Sequence, residues 1–124
     1  MRHVTGLGGV FVKSPDPARL MEWYRTRLGI ETDGYGARFD WRDKDVPDNV
    51  GYSLWGVFAQ DTRYFDPSDR PFMVNLRVGN LDALLAELRA AGEQVDDKTE
   101  DGEFGRFGWV MDVLQSSGWV RGIL

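Results

Sequence analysis

The sequence has no cysteine and only one histidine, His3. Without cysteine, the chain can form no disulfide bond, bind no zinc through thiolates and use no thiol as a nucleophile. A catalytic triad would have to use His3, which lies at the start of the chain and is expected to be a solvated terminal side chain. The sequence therefore lacks the groups that build an ordinary transition-metal site or nucleophilic active site.

Long hydrophobic runs and blocks of positive charge are also absent. No stretch approaches the roughly 20 apolar residues that span a bilayer, and the N-terminus has no signal-peptide core, so the sequence predicts a cytoplasmic protein with no membrane partner. The 15 Lys and Arg residues are scattered among 20 Asp and Glu residues, giving a net charge of −5. Such a chain repels phosphate backbones, so nucleic acid is not an expected partner.

No cofactor motif is present either. The segment Gly6-x-Gly8-Gly9 precedes a predicted strand, whereas a dinucleotide fingerprint precedes a helix. The acid-rich segment 96–103 lacks the spacing of a calcium-binding EF-hand loop. The sequence therefore predicts no cofactor.

Two amphipathic helices occur at equivalent places in the two halves of the chain. The first begins at Asp16-Pro17, a good cap followed by a proline in the first turn, and ends at Gly29. The second begins at Asn80 and ends at Gly92. Apolar residues recur at helical spacing in both: Leu20, Trp23, Tyr24 and Leu28, then Leu81, Leu84, Leu85 and Leu88. The offset between the helices is close to half the chain, which indicates an internal repeat.

Strand-like runs surround each helix. The predicted strands are Leu7–Lys13, Ile30–Asp33, Ala37–Trp41 and Gly51–Ala59 in the first half, and Phe72–Val78, Gln94–Asp96, Phe104–Met111 and Gly118–Ile123 in the second. Asp33-Gly34-Tyr35-Gly36 is typical of a hairpin turn. The pattern predicts an α+β fold in one domain, 1–124, made of two βαβββ modules, 1–60 and 71–124, joined by a mostly polar linker, 61–70. Their sheets would curve around a cavity.

Alternation along the strands separates a helix-facing side from a side that could line this cavity. Asn75 and Arg77 would lie on the cavity side, where they could bind a carboxylate, a phosphate or an amide; alternatively, Arg77 could pair with an acid at the sheet end. Tryptophans in the strands could stack on a planar ligand or fill the core. The candidate ligand-binding residues are Phe11, Trp41, Trp55, Asn75, Arg77 and Trp109. No catalytic residue is singled out.

Several segments together resemble one known superfamily. They are Leu7-Gly8-Gly9-Val10-Phe11 with Asp16-Pro17, Trp23-Tyr24 and Leu28-Gly29, followed by 53–58, 74–78 and 105–112. From Gly6 to Asp112 the chain resembles the vicinal oxygen chelate superfamily, which includes glyoxalase I, bleomycin-resistance proteins and extradiol dioxygenases. The resemblance implies the two-module fold and, in relatives of this size, a homodimer.

Enzymes of that superfamily hold a divalent metal through side chains on the inner strand faces. Carried over by position, the ligands would fall near Gly9, Ser53, Met73 and Trp119. None of these side chains is a normal metal ligand. The resemblance therefore implies the fold without the metal, and no metal-binding residue is predicted.

The C-terminus departs from the resemblance. Relatives usually continue after the equivalent of Met111-Asp112 with Pro-x-Gly-Asn, whereas this chain continues with Val113-Leu114-Gln115-Ser116. An altered reading frame near the end of the gene and simple divergence are both open explanations.

The function predicted from the sequence is that of a glyoxalase/bleomycin-resistance-like protein that binds a small organic molecule without a metal. One alternative is a lyase or isomerase of glyoxalase type acting on a small carbonyl compound. Another is a protein without a pocket whose surface serves assembly. Fold alone does not decide among them.

Overall fold

The computed structural model describes residues 4–66, 68–102, 105–112 and, for the backbone alone, 119–123. His3 and residues 113–118, on which two of the interpretations above rest, lie outside these ranges. The elements in chain order are β1 (Val4–Ser14), α1 (Pro17–Leu28), β2 (Gly36–Arg42), β3 (Val50–Ala59), β4 (Phe72–Val78), α2 (Leu81–Ala90), β5 (Glu100–Gly102), β6 (Gly105–Met111) and β7 (Trp119–Ile123).

The described strands form one curved mixed sheet in the order β2-β3-β1-β4-β7-β6-β5. At its centre, β1 and β4 pair antiparallel. On one side β1 pairs parallel with β3, which pairs antiparallel with β2. On the other side β4 pairs parallel with β7, which pairs antiparallel with β6. The two halves thus repeat one pairing scheme, and the predicted α+β fold of two modules is confirmed.

Both helices have the predicted N-caps, whereas α2 ends at Ala90 with Ala91 as its C-cap, before the predicted Gly92. The Asp16 carboxylate accepts a hydrogen bond from the Arg19 backbone N–H at 3.1 Å, and Asn80 accepts one from the Ala83 N–H at 3.1 Å. Gly29 ends α1 in the left-handed conformation, with φ of 71°. The described helices contain 12 and 10 residues, and neither could carry the chain across a bilayer.

Two predicted strands are not formed as strands. Residues 30–33 have no strand conformation, and in 94–96 only Val95 makes an isolated bridge, to Val110. The Asp33 carboxylate accepts hydrogen bonds from the N–H groups of Tyr35 and Gly36, at 2.7 and 2.9 Å. This Asx turn leads directly into β2, so the turn was predicted correctly but does not connect two paired strands.

The helices lie on one face of the sheet. Tyr24 of α1 packs on Trp55 of β3 with ring centroids 4.3 Å apart. Leu81 and Leu85 of α2 form a buried cluster with Val78 of β4, which confirms the predicted helix-facing side of that strand. The opposite face carries the main core, a set of buried aromatic and methionine side chains: Phe11, Phe65, Met73, Phe107, Trp109 and Met111.

The connection between the halves is part of that core. Phe65 is completely buried, and Tyr64 stacks on Phe58 with ring centroids 5.3 Å apart and planes 5° from parallel. We call residues 61–66 the strap. Although most strap residues are polar, these two rings bury enough apolar area to hold it against the sheet. The rings of the strap therefore cover the face opposite the helices where Phe58 lies.

The buried ring of Phe65 makes the strap testable. Phe65→Ala should lower the free energy of unfolding by about 3–5 kcal/mol, because it removes a fully buried aromatic ring and leaves a cavity. Tyr35→Ala, at a site 83% exposed, should change it by less than about 0.5 kcal/mol. Urea denaturation of both variants measures the difference. A loss below about 1 kcal/mol for Phe65→Ala would show that the strap does not belong to the core.

Candidate functional site

The strands β1 and β3 separate at one end of their ladder. Their paired residues run from Gly9 and Leu54 to Ser14 and Ala59. On the N-terminal side of Gly9, the described residues of β1 pair only with β4. On the N-terminal side of Leu54, the described residues of β3 pair only with β2. Gly9 has φ of 127° and lies at an irregularity in the β1–β4 ladder, and a Cβ there would collide with the Leu54 carbonyl. A bulge that only glycine can form therefore opens a fork between the two strands.

Trp41 covers the fork. It is paired with Gly51 across the β2–β3 ladder, and a Cβ on Gly51 would overlap the indole ring. Its Nε1–H donates to the Ser53 hydroxyl oxygen at 2.9 Å, and that hydroxyl donates to the Leu7 carbonyl at 2.6 Å. The missing side chain of Gly51 thus creates the space for the ring. The Trp41–Ser53 hydrogen bond holds the ring there, and the Ser53–Leu7 hydrogen bond crosses the fork.

Arg77 lies inside the same fork. Its Nη1 donates to the Tyr52 carbonyl at 3.3 Å, and its Cζ lies 5.0 Å from the Tyr52 ring centroid and 5.9 Å from that of Trp41. These distances are in the range of cation–π contacts. No carboxylate in the described ranges makes an ion pair with Arg77, so the alternative that it pairs with an acid at the sheet end is not seen there.

The fork opens into a cleft of about 660 Å³, which we call the Trp41 cleft. This volume is in the range of small-molecule sites. It is lined by Thr5, Gly6, Leu7, Trp41, Arg42, Asp43, Lys44, Asp45 and Ser53. Trp41 shares a face with Trp55 by the β2–β3 register, so the cleft lies on the helix-bearing side of the sheet.

The loop 43–49 on one side of the cleft is fixed by its own hydrogen bonds. The Asp43 carboxylate accepts from the Asp45 N–H at 2.9 Å, and the Asp43 N–H donates to the Asn49 carbonyl at 3.0 Å. Arg42 donates through Nη1 to the Pro47 carbonyl at 3.0 Å. The cleft wall is therefore built before any ligand arrives.

Of the six predicted ligand-binding residues, Trp41 alone lines this cleft, and Arg77 lies behind it. Phe11 and Trp109 are 7% and 4% exposed within the core. Trp55 packs against Tyr24 of α1. Near Trp109, the Lys98 ammonium lies 5.1 Å from the ring centroid, and its hydrogen bond to Glu100 raises the pKa of Lys98.

Asn75 is fully buried between β1 and β4. Its Nδ2 donates to the Gly9 carbonyl at 3.4 Å, and its Oδ1 has no hydrogen-bond partner among the described residues. The structure thus places Asn75 beside the bulge, two residues before Arg77 on the same strand, and away from the open cleft.

The positions where the resemblance implies metal ligands do not fit a metal. Gly9 has no side chain and cannot accept one, and Met73 is completely buried in the aromatic core. The Ser53 hydroxyl is occupied by Trp41 and Leu7, and the Trp119 side chain lies outside the described atoms. The rest of the described chain contains no group of three His, Cys, Asp or Glu residues that could hold a metal ion.

A family model described as a glyoxalase-like domain matches residues 9–116. The chain belongs to the glyoxalase-like domain family. With its two halves of like strand pairing, this glyoxalase-like domain is a member of the vicinal oxygen chelate superfamily, as the sequence predicted. No curated protein matches the chain.

Solved structures share the fold of this glyoxalase-like domain at low identity. Methylmalonyl-CoA epimerase from Mycobacterium tuberculosis is 18% identical, with a TM-score of 0.64 over 97% of this chain and 87% of that one. The Streptomyces coelicolor epimerase (Q60A) in complex with 2-nitronate-propionyl-CoA is 17% identical, with a TM-score of 0.69 over 97% and 96%. An NAD-dependent benzaldehyde dehydrogenase from Legionella pneumophila is 17% identical, with a TM-score of 0.59 over 93% and 96%. At such identities, the likeness is one of fold.

Sequence reasoning missed most of the cleft. The sequence predicts only a strand at Leu7 and no functional role for Lys44. A usable signal was the smallness of Gly6 and Gly51, two strand residues on which a large ring can lie. Connecting them with Trp41 requires the strand register, which the sequence does not contain.

Two glycines give a matched test of the Trp41 position. Gly51→Ala should displace the indole ring, weaken its bond to Ser53 and lower the free energy of unfolding by about 1–3 kcal/mol. Gly6→Ala should leave the ring in place, because the new Cβ would lie 3.9 Å from the indole, an ordinary contact. The indole Nε1–H resonance and urea denaturation report the two effects. Equal behaviour of the two variants would contradict this geometry.

Proposed function

We propose that this glyoxalase-like domain is a metal-independent protein that binds a small organic molecule in the Trp41 cleft. The observation that carries the proposal is the cleft of about 660 Å³ with an indole fixed at its base. Aromatic surfaces held in one orientation lose little conformational entropy when a ligand binds. A flat, preorganised ring beside polar side chains is the common plan of a small-molecule site.

Metal independence is supported by the residues at the implied ligand positions. If one position held a poor metal ligand, a neighbouring side chain could bind the metal instead. The bulged backbone at Gly9, however, admits no side chain. Met73 offers only a thioether, and the surrounding aromatic core covers it completely. These two positions lie on the paired central strands β1 and β4, one in each half, and neither offers a normal metal ligand.

The apolar part of the ligand would rest on Trp41 and on Leu7, whose side chain is 53% exposed at the cleft. Exposed leucine next to a half-buried tryptophan provides apolar surface that a ligand ring can cover. A ligand role for Phe11 or Trp109 stays a prediction that would require Tyr64 and Phe65 to leave the core.

Assembly as a homodimer is also a proposal. β2 is an edge strand of the sheet, with Phe39 46% exposed on it and Val50 59% exposed on its neighbour β3. An edge with apolar side chains favours pairing with a second copy. Cytoplasmic location likewise stays a prediction.

Ligand binding at Trp41 can be tested by tryptophan fluorescence with a panel of aromatic acids, aromatic alcohols and aromatic amines. At least one compound should quench the emission of the native protein. Trp41→Phe should weaken binding of that compound about tenfold or more, because the larger ring and its fixed orientation are lost. Trp23→Phe is the control, since Trp23 is 52% exposed on α1 and does not line the cleft. It should change the affinity less than twofold.

Two results would contradict the proposal. Undiminished binding to Trp41→Phe, or silence across the whole panel, would remove the cleft as the site. Stoichiometric zinc, nickel, iron or manganese in protein purified without a metal-affinity tag would overturn metal independence and favour the lyase or isomerase alternative.

A further inference from the structure

We propose that two copies of this chain join through β2, which pairs antiparallel with the same strand of the second copy about a two-fold axis at Phe39. This inference rests on the homodimer proposed above and names its interface and register. The pairing would join the two seven-stranded sheets into one continuous sheet.

The described sheet has two edge strands, β2 and β5. β5 contains three residues, and two of them, Glu100 and Asp101, are acids that would repel their counterparts in a second copy. β2 contains seven residues without proline or lysine, the residues that commonly protect an edge strand from pairing. β2 is therefore the edge at which another strand can be added.

The backbone of β2 alternates between groups used within the sheet and groups that point outward. Just before the strand, the Tyr35 carbonyl accepts from the Val57 N–H at 2.9 Å. Just after it, the Asp43 N–H donates to the Asn49 carbonyl at 3.0 Å. The odd-numbered residues of β2 therefore face β3, and the even-numbered residues turn their N–H and C=O groups to the open side.

At one end of β2 the outward groups are already used. The Gly36 N–H donates to the Asp33 carboxylate at 2.9 Å, and the Gly36 carbonyl accepts from the Asp33 N–H at 2.9 Å. The outward groups left for a second copy are those of Arg38, Asp40 and Arg42. In the described part of the chain, no strand pairs with β2 on that side.

Side-chain charges favour the axis at Phe39. In that register Arg38 lies opposite Asp40 of the second copy, and the N–H and C=O groups of these residues, which point outward, pair with each other. Arg38 and Asp40 also form an ion pair within one strand at 2.8 Å. The charges of the two copies would therefore alternate in sign around the axis.

Other registers bring like charges together. With the axis at Asp40, the Asp40 carboxylates of both copies would meet, and Arg38 would face Arg42. With the axis at Arg38, the two Arg38 side chains would meet. With the axis at Trp41, Arg38 would face Lys44 of the second copy, which lies beyond the end of β2 at Arg42. The first register alone pairs opposite charges along the full strand.

The same axis gives Phe39 a partner. Its side chain is 46% exposed in the single chain. At the axis it lies opposite itself in a non-hydrogen-bonded pair, the kind in which side chains approach most closely. Aromatic cross-strand pairs stabilise sheets, so the exposed ring also favours this pairing.

Charge reversal tests the interface by sedimentation equilibrium of the full chain. The native protein should be a dimer at about 100 μM. Arg38→Asp and Asp40→Arg should each weaken the dimer about tenfold or more, because like charges then face each other. Arg63→Asp makes the same change of charge outside β2, at a side chain 92% exposed, and should leave the dimer unchanged.

Mixing the two reversed variants separates a contact between copies from the ion pair within one strand. An equimolar mixture of Arg38→Asp and Asp40→Arg should form heterodimers, because acidic side chains of one chain then face basic side chains of the other. Repair of the ion pair within one strand cannot produce this recovery, since neither variant regains it.

A single engineered cysteine tests the position of the axis. The native chain has no cysteine, so a new thiol can form a disulfide only with a second copy. Phe39→Cys should give a covalent dimer on mild oxidation, because the paired Cα atoms would lie about 4.5 Å apart. Tyr35→Cys is the control, at a site 83% exposed. It should stay uncrosslinked, because its two copies would lie about 27 Å apart along the strands.

The outcomes separate this inference from the proposals on which it rests. If the native chain is monomeric at about 100 μM, both the β2 interface and the homodimer are wrong, while ligand binding in the Trp41 cleft is unaffected. If the chain is a dimer but the reversed variants dimerise as well as native protein, the homodimer stands and the interface is wrong. If Tyr35→Cys crosslinks as readily as Phe39→Cys, the register is wrong.

Discussion

The backbone at Gly9 is the constraint on which the site depends. A φ of 127°, with the Leu54 carbonyl where a Cβ would be, forces a glycine bulge at the centre of the sheet. The bulge ends the β1–β3 ladder, so Tyr52 must find another partner for its carbonyl, and Arg77 supplies it. Gly9 is also a position at which the resemblance implies a metal ligand. One local conformation therefore opens the cleft and leaves no side chain at that position.

The two halves share one scheme of strand pairing but pack differently. On the face opposite the helices, aromatic rings from the strap and from β6 pack into a core. The open cleft belongs to the first half alone, where the strands diverge. Buried Asn75 lies beside the bulge between these regions, and its Oδ1 has no hydrogen-bond partner among the described residues.

What the sequence predicted was mostly local. Asp16, Asn80 and Gly29 could be assigned because caps depend on neighbouring residues. Positions 9 and 73 were singled out only through the resemblance, which implies metal ligands there. The cleft could not be predicted, since the hydrogen bond from Ser53 to Leu7 joins residues 46 positions apart. The burial of Phe65 was missed for a related reason: the polar composition of its segment says nothing about two rings that face a distant strand.

The strap has a consequence for how the chain folds. Phe58 of the first half and Trp109 of the second both pack against its rings, at centroid distances of 5.4 and 6.3 Å. Neither half can complete its core before the other has been synthesised, because the shared rings need walls from both. The two halves therefore form a single cooperative unit, which should unfold in one transition without a stable half-molecule.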